Sequence, residues 1–162
     1  MSERERSARR QDGVTARAGG RPPGGPHQVL LPPGWERPQG YANGIAASGR
    51  LVFVAGQVGW DRAGRFAPDF AGQFRQTLEN TLAVLAEAGA GPEHVVRMTW
   101  YVTDLAAYRA ALPEIGRIYR ALMGRNYPAM AVVEVSGLVE PEALLEIETT
   151  AVVPDDGSQG RP

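Results

Sequence analysis

Cysteine and lysine are both absent from this chain, and histidine occurs only twice. Without cysteine there is no disulfide framework, no thiolate nucleophile and no Cys-based metal site. Without lysine there is no Schiff-base chemistry, no P-loop lysine and no anchor for pyridoxal phosphate. All 17 basic residues are therefore arginine. The two histidines, His27 and His94, have no second histidine at ligand spacing, which argues against a His-based metal centre. No serine sits in a G-x-S-x-G context, so a Ser-His-Asp triad has no support. No hydrophobic run is long enough for a membrane span and no signal-peptide core precedes the domain, so a cytoplasmic protein is expected. Chemistry here must use carboxylates, tyrosines, arginines, backbone amides and water.

What is present suits one domain: 162 residues, 43% of them apolar. The net charge of −1 conceals an asymmetry. Residues 1–26 carry six arginines against Glu3, Glu5 and Asp12, so this part is +3 and the remainder −4. Residues 1–34 are rich in Arg, Gly and Pro, with almost no large apolar side chain before Val29. Such a segment cannot bury enough surface to offset its ordering entropy, and it is expected to be a disordered tail that contains His27. Six arginines without interleaved aromatics are weak evidence for nucleic-acid binding, and neither nucleic acid nor membrane is expected as a partner. The domain is expected over 35–154, with a second tail at 155–162.

Hydrophobic patterning organises the domain. Gly40–Ala47 and Arg50–Gln57 read as a hairpin turning at Ser48-Gly49. A turn at Asp61–Gly64 leads to a helix over Asp69–Ala88, with Phe70, Phe74, Leu78, Leu82 and Leu85 on one stripe. Val95–Val102 is a strand with Val96, Met98, Trp100 and Val102 sharing a face. Asp104 caps a second helical segment that runs to Met123, interrupted or restarted at Pro113. Ala129–Val135 and Leu144–Val153 are the closing strands. The second alternates, placing Glu146 and Glu148 on the face opposite Leu145 and Ile147. The pattern β-β-α-β-α-β-β is α+β, two helices covering one face of a mixed sheet. Leu51–Ala55 and Ala129–Val135 are apolar on both faces, so the uncovered face is expected to be buried by self-association.

An ordered set of motifs resembles the RidA family, also called YjgF/YER057c/UK114 and once labelled endoribonuclease L-PSP. It comprises Val54-Ala55-Gly56-Gln57, Gln76-Thr77-Leu78-Glu79-Asn80, Val95 through Leu105, Tyr127-Pro128-Ala129, Val133-Glu134-Val135 and Leu145-Glu146-Ile147-Glu148, across about 41–153. The resemblance implies a chorismate-mutase-like fold assembled as a homotrimeric barrel, with a small-ligand cleft at each subunit interface. It implies hydrolysis of enamines and imines to a keto product and ammonia, with no metal or organic cofactor. Carried over, the water-positioning glutamate is Glu146 and the tyrosine that closes the site is Tyr41. Gly56 lines the pocket with Ala55, where deaminating members often have Ser. Met130 occupies the position of the family's carboxylate-clamping arginine, and Leu112 or Pro113 that of an asparagine lining the cleft. Losing the guanidinium removes a charge-assisted contact of about 1.5–3 kcal/mol, roughly one to two powers of ten in affinity for a small imino acid. Two functions stay open. One is hydrolysis of a substrate that lacks the clamped carboxylate. The other is a non-catalytic small-molecule-binding or regulatory trimer. RNA cleavage is the weakest reading, because the folded part is acidic and has no His pair.

Overall fold

The computed structural model describes residues 26–155. Its elements are β1 (Gln28–Leu30), β2 (Gly44–Ala46), β3 (Arg50–Val58), α1 (Phe70–Glu87), β4 (Val95–Val102), α2 (Leu105–Ala110), α3 (Leu112–Met123), β5 (Ala129–Glu134) and β6 (Leu145–Val153). A four-stranded mixed sheet runs in the order β3-β6-β4-β5, antiparallel except for the parallel pair β4 and β5. The helices cover one face. This is the α+β arrangement expected, with one more short strand and the second helical segment divided at Ala111.

Local chemistry accounts for the boundaries. Asp69 caps α1 by accepting a hydrogen bond from Gly72 N (2.9 Å), and Asp104 caps α2 by accepting from Ala106 N and Ala107 N. Glu134 closes the remaining donor there, accepting from Leu105 N at 2.9 Å. The carboxylate of Asp61 holds its turn through Ala63 N, Arg65 N and the Arg65 guanidinium. Phe74, Leu78 and Leu85 from α1 are fully buried against Met98, Val102, Leu145 and Ile147. Trp100 packs on Phe74 with ring centroids 4.8 Å apart.

Three expectations are corrected. The hairpin of β2 with β3 does not form: β2 pairs with β1, and β3 pairs with β6. The apolar strand β3 takes a place in the main sheet, where it finds a nine-residue partner, whereas β2 is short and has only a three-residue one. The segment expected as a tail enters the fold at its end, since Gln28–Leu30 is a strand and His27 is buried; residues 1–25 and 156–162 lie outside the described residues. A bulge between Val95 and Arg97 turns Val95, rather than Val96, into the core.

The buried amide of Gln73 links three parts of the chain. Its Nε2 donates to Ala67 O (3.0 Å) and Glu142 O (2.9 Å), and its Oε1 accepts from Leu144 N (2.8 Å). Gln73→Ala leaves these backbone groups without their partner. At about 1–3 kcal/mol for each buried group left unpaired, the variant is expected to lose at least 2 kcal/mol of unfolding free energy in urea titration. Glu142 and Ala67 staying wet enough to make the change neutral would refute it.

Candidate functional site

The open face of the sheet carries the polar groups. On β6 the side chains alternate between buried Leu145, Ile147 and Thr149 and outward Glu146 and Glu148. The antiparallel register sets Glu146 opposite Tyr101 on β4 and opposite Val58 on β3, and sets Glu148 opposite Thr99. Between Val54 and Gln57 the pairing of β3 with β6 shifts, so Ala55 and Gly56 form a bulge beside Glu146. A Cβ placed on Gly56 would collide with the Glu146 carboxyl group. Glycine at this position is therefore what lets the carboxylate lie over the bulge.

Helix α1 fixes the same region from behind. Asn80 Nδ2 donates to Val58 O (3.0 Å) and Trp60 O (2.9 Å), carbonyls at and beyond the last ladder pair of β3. Gln76 orients that amide by donating to Asn80 Oδ1 at 3.0 Å. Gly59 allows the approach, since a Cβ there would stand 2.6 Å from Gln73 O.

Tyr101 joins the cluster although its motif position alone gave no reason to select it. Its hydroxyl donates to Glu148 Oε1 at 3.1 Å. That hydrogen bond, then desolvation and the nearby carboxylates of Glu148 and Glu146, push the phenol above its ordinary pKa, against the opposing Arg97. Alternation places Tyr101 on the face of Arg97 and Thr99, but only the register shows that it meets both glutamates. Glu148 is exposed and acts as the partner of Tyr101. Arg97, Thr99, Glu148, Phe53 and Ala55 line a depression of about 560 Å³ beside this cluster.

The other two candidates lie elsewhere. Ala42 N donates to Pro128 O (2.9 Å) and Ala42 pairs with Ala129, which holds Tyr41 at the β5 edge of the sheet. Glu146 and Gly56 lie toward the β3 edge. Met130 pairs with the core residue Met98 and packs against the core, so it shares neither face nor edge with Glu146. Leu112, at the start of α3, is 45% exposed. One chain thus brings together Ala55, Gly56, Glu146 and Tyr101, and keeps Tyr41 and Met130 apart from them. Among the described residues no three His, Asp or Glu side chains gather in a metal-holding group, and no helix is long and apolar enough to cross a membrane.

Comparison with known proteins reports on the whole domain. The family model for Endoribonuclease L-PSP matches residues 36–153. The chain belongs to this family, known also as the Rid or YjgF/YER057c/UK114 family. A RutC family protein of Haemophilus influenzae is 36% identical over 105 residues, 64% of this chain and 80% of the relative. A RutC family protein of Pyrococcus horikoshii is 31% identical over 126 residues, 76% of this chain and 96% of the relative. Among solved structures, a Rid family protein of unknown function, YyfB from Yersinia pestis, superposes with a TM-score of 0.70 at 34% identity, covering 78% of this chain and 98% of that one. The YjgF gene product of E. coli matches with a TM-score of 0.56 at 29% identity, covering 69% and 87%. Membership in the Rid family accounts for the α+β sheet and for the order of its motifs.

The Tyr101–Glu148 contact makes a pH prediction. A folded-state pKa above the ordinary 10.0 means that the contact stabilises the fold below that pH and is lost as pH rises through the raised value. In ultraviolet titration of single-tyrosine ionisation, Glu148→Gln is expected to lower the Tyr101 midpoint. An unchanged midpoint would remove Glu148 as the cause.

Proposed function

We propose that the chain is a cytoplasmic, cofactor-independent enamine or imine hydrolase that works as a homotrimer on a substrate without a clamped carboxylate. The observation that carries this is the Glu146 carboxylate, held over the Ala55–Gly56 bulge and paired across the sheet with Tyr101. Two readings of the surface support the assembly. Leu51, Phe53 and Val133 are exposed on the face that the helices leave open, Phe53 at 75%. A second copy laid there removes these side chains from water, and a head-to-tail contact that closes after three copies leaves none of the face uncovered. In such a ring the β3 side of one subunit, with Glu146 and Gly56, meets the β5 side of its neighbour, with Tyr41 and Met130. The split between the two sheet edges then becomes one cleft per interface.

The chemistry asks little of the protein. Glu146 takes a proton from water as its oxygen attacks the imine carbon, giving a carbinolamine. Glu146 returns that proton to nitrogen, and as the C–N bond breaks the hydroxyl proton passes to the departing nitrogen, so that ammonia leaves and a carbonyl product remains. An enamine enters the same route once it is protonated at carbon to the imine. The substrate is expected to be neutral or aromatic at the end near Met130, because a thioether there offers dispersion contacts and no charge. A non-catalytic, ligand-binding trimer is favoured instead by one observation, the absence of a guanidinium at position 130.

Two measurements separate these outcomes. Against a panel of freshly generated neutral and aromatic enamines, the native chain is expected to accelerate ammonia release. Glu146→Gln should lower that rate by roughly 10²–10⁴-fold. No acceleration on any member, combined with tight ligands in a thermal-shift screen, would give the binding reading the stronger claim. Light scattering at micromolar concentration is expected to report the mass of three 17.4 kDa chains. Phe53→Asp places a charge on the buried interface and should shift the mass towards one chain; a monomeric native protein would sink the assembly.

A further inference from the structure

Away from Glu146, a second cleft of about 800 Å³ lies between the β1–β2 hairpin and the loop after α3. Among the described residues its lining includes Arg37, Arg120 and Arg125, with Glu93 as the one carboxylate. None of the three guanidiniums forms an ion pair among the described residues, although Arg65 and Arg117 do. Three like charges around one concavity repel one another, and an uncompensated positive field of this kind concentrates anions. A second observation is independent of charge. His27, which also lines the cleft, is only 6% exposed, and its Nε2 is fully buried with no hydrogen-bond partner among the described residues. A buried imidazole nitrogen without a partner carries the whole cost of its desolvation, and an oxygen placed in the cleft would remove that cost.

From these two observations we infer that the cleft of His27, Arg37, Arg120 and Arg125 binds the oxyanion of a small molecule, a phosphate or a carboxylate. Guanidinium forks receive either oxyanion in bidentate fashion, and Nε2–H of His27 supplies a donor from the buried side. The backbone around Arg125 is already committed. Asn126 Nδ2 donates to Met123 O at 2.7 Å, and Tyr119 OH donates to Asn126 O at 2.6 Å, which holds the loop that carries the arginine. Tyr41 borders this cleft as well, so an occupant would touch the β5 edge of the sheet without reaching Glu146. Its charged residues are distinct from the Glu146 cluster, and Tyr41 alone is shared with the interface cleft proposed above.

The test is thermal unfolding of the full chain in inorganic phosphate and, separately, in acetate, each against sodium chloride of equal ionic strength. At least one oxyanion is expected to raise the melting temperature beyond the chloride control, saturating with concentration. Phosphate alone doing so assigns a phosphate-type ligand, and acetate alone a carboxylate. Arg120 and Arg125 are exposed, so R120A/R125A is expected to fold and to lose the excess shift. His27→Phe, which fills the same space without a donor, should lower the apparent affinity at least tenfold. Glu146→Gln should retain the full shift, which keeps this result separate from any failure of the hydrolase. Equal effects of oxyanions and chloride, or an undiminished shift in R120A/R125A, would overturn the assignment.

Discussion

Two side-chain amides on α1 hold the two strands that carry Gly56 and Glu146. A β-bulge leaves backbone groups that the ladder cannot pair, and β3 ends two residues after one. Asn80 takes the carbonyls of Val58 and Trp60, while Gln73 takes those of Ala67 and Glu142 and returns an acceptor to Leu144 N. The first set fixes the strand that presents Gly56. The second fixes the approach to the strand that presents Glu146. Apolar packing alone would press α1 onto the sheet but would leave the axial position of both strands loose. Directional hydrogen bonds from a buried helix face remove that freedom.

The same economy explains the glycines. Gly59 brings the backbone of β3 against Gln73, and Gly56 clears space for a carboxylate that would otherwise need another rotamer. Each gives up side-chain packing so that a polar group can be placed. The cluster that results has Glu146 beside a phenol that already donates to Glu148. Tyr101 is thereby oriented by one carboxylate and raised in pKa partly by both.

Most of the sheet and the helices were legible because their signals are local. The stripe from Phe70 to Leu85, the Asp69 and Asp104 caps and the alternation in Leu145–Val153 each follow from periodicity or from one side chain. The pairing of β2 was not legible: a strand's partner is a long-range choice, and the Ser48-Gly49 turn signal was read as a hairpin. His27 was hidden for a related reason. Its neighbours are proline, glycine and glutamine, and none of them signals the burial that the structure shows. On the open face, the register shift of β3 sets Ala55 and Gly56 beside Glu146. Tyr101 needed the register, and the separation of Tyr41 and Met130 from Glu146 needed the strand order.

The environment of Met130 suits an apolar side chain. Its register partner Met98 is fully buried, and Met130 itself packs against the core. A guanidinium at this place must run its stem across that core and keep its charge at the surface, an arrangement maintained only when an anion or a carboxylate rewards it. A thioether at this place packs against the core without that requirement. This flank of the molecule does carry positive charge, however. Arg37, Arg120 and Arg125 gather around the cleft that Tyr41 borders, on the outer side of the same edge. The edge is therefore apolar where the sheet is packed and cationic where it is open.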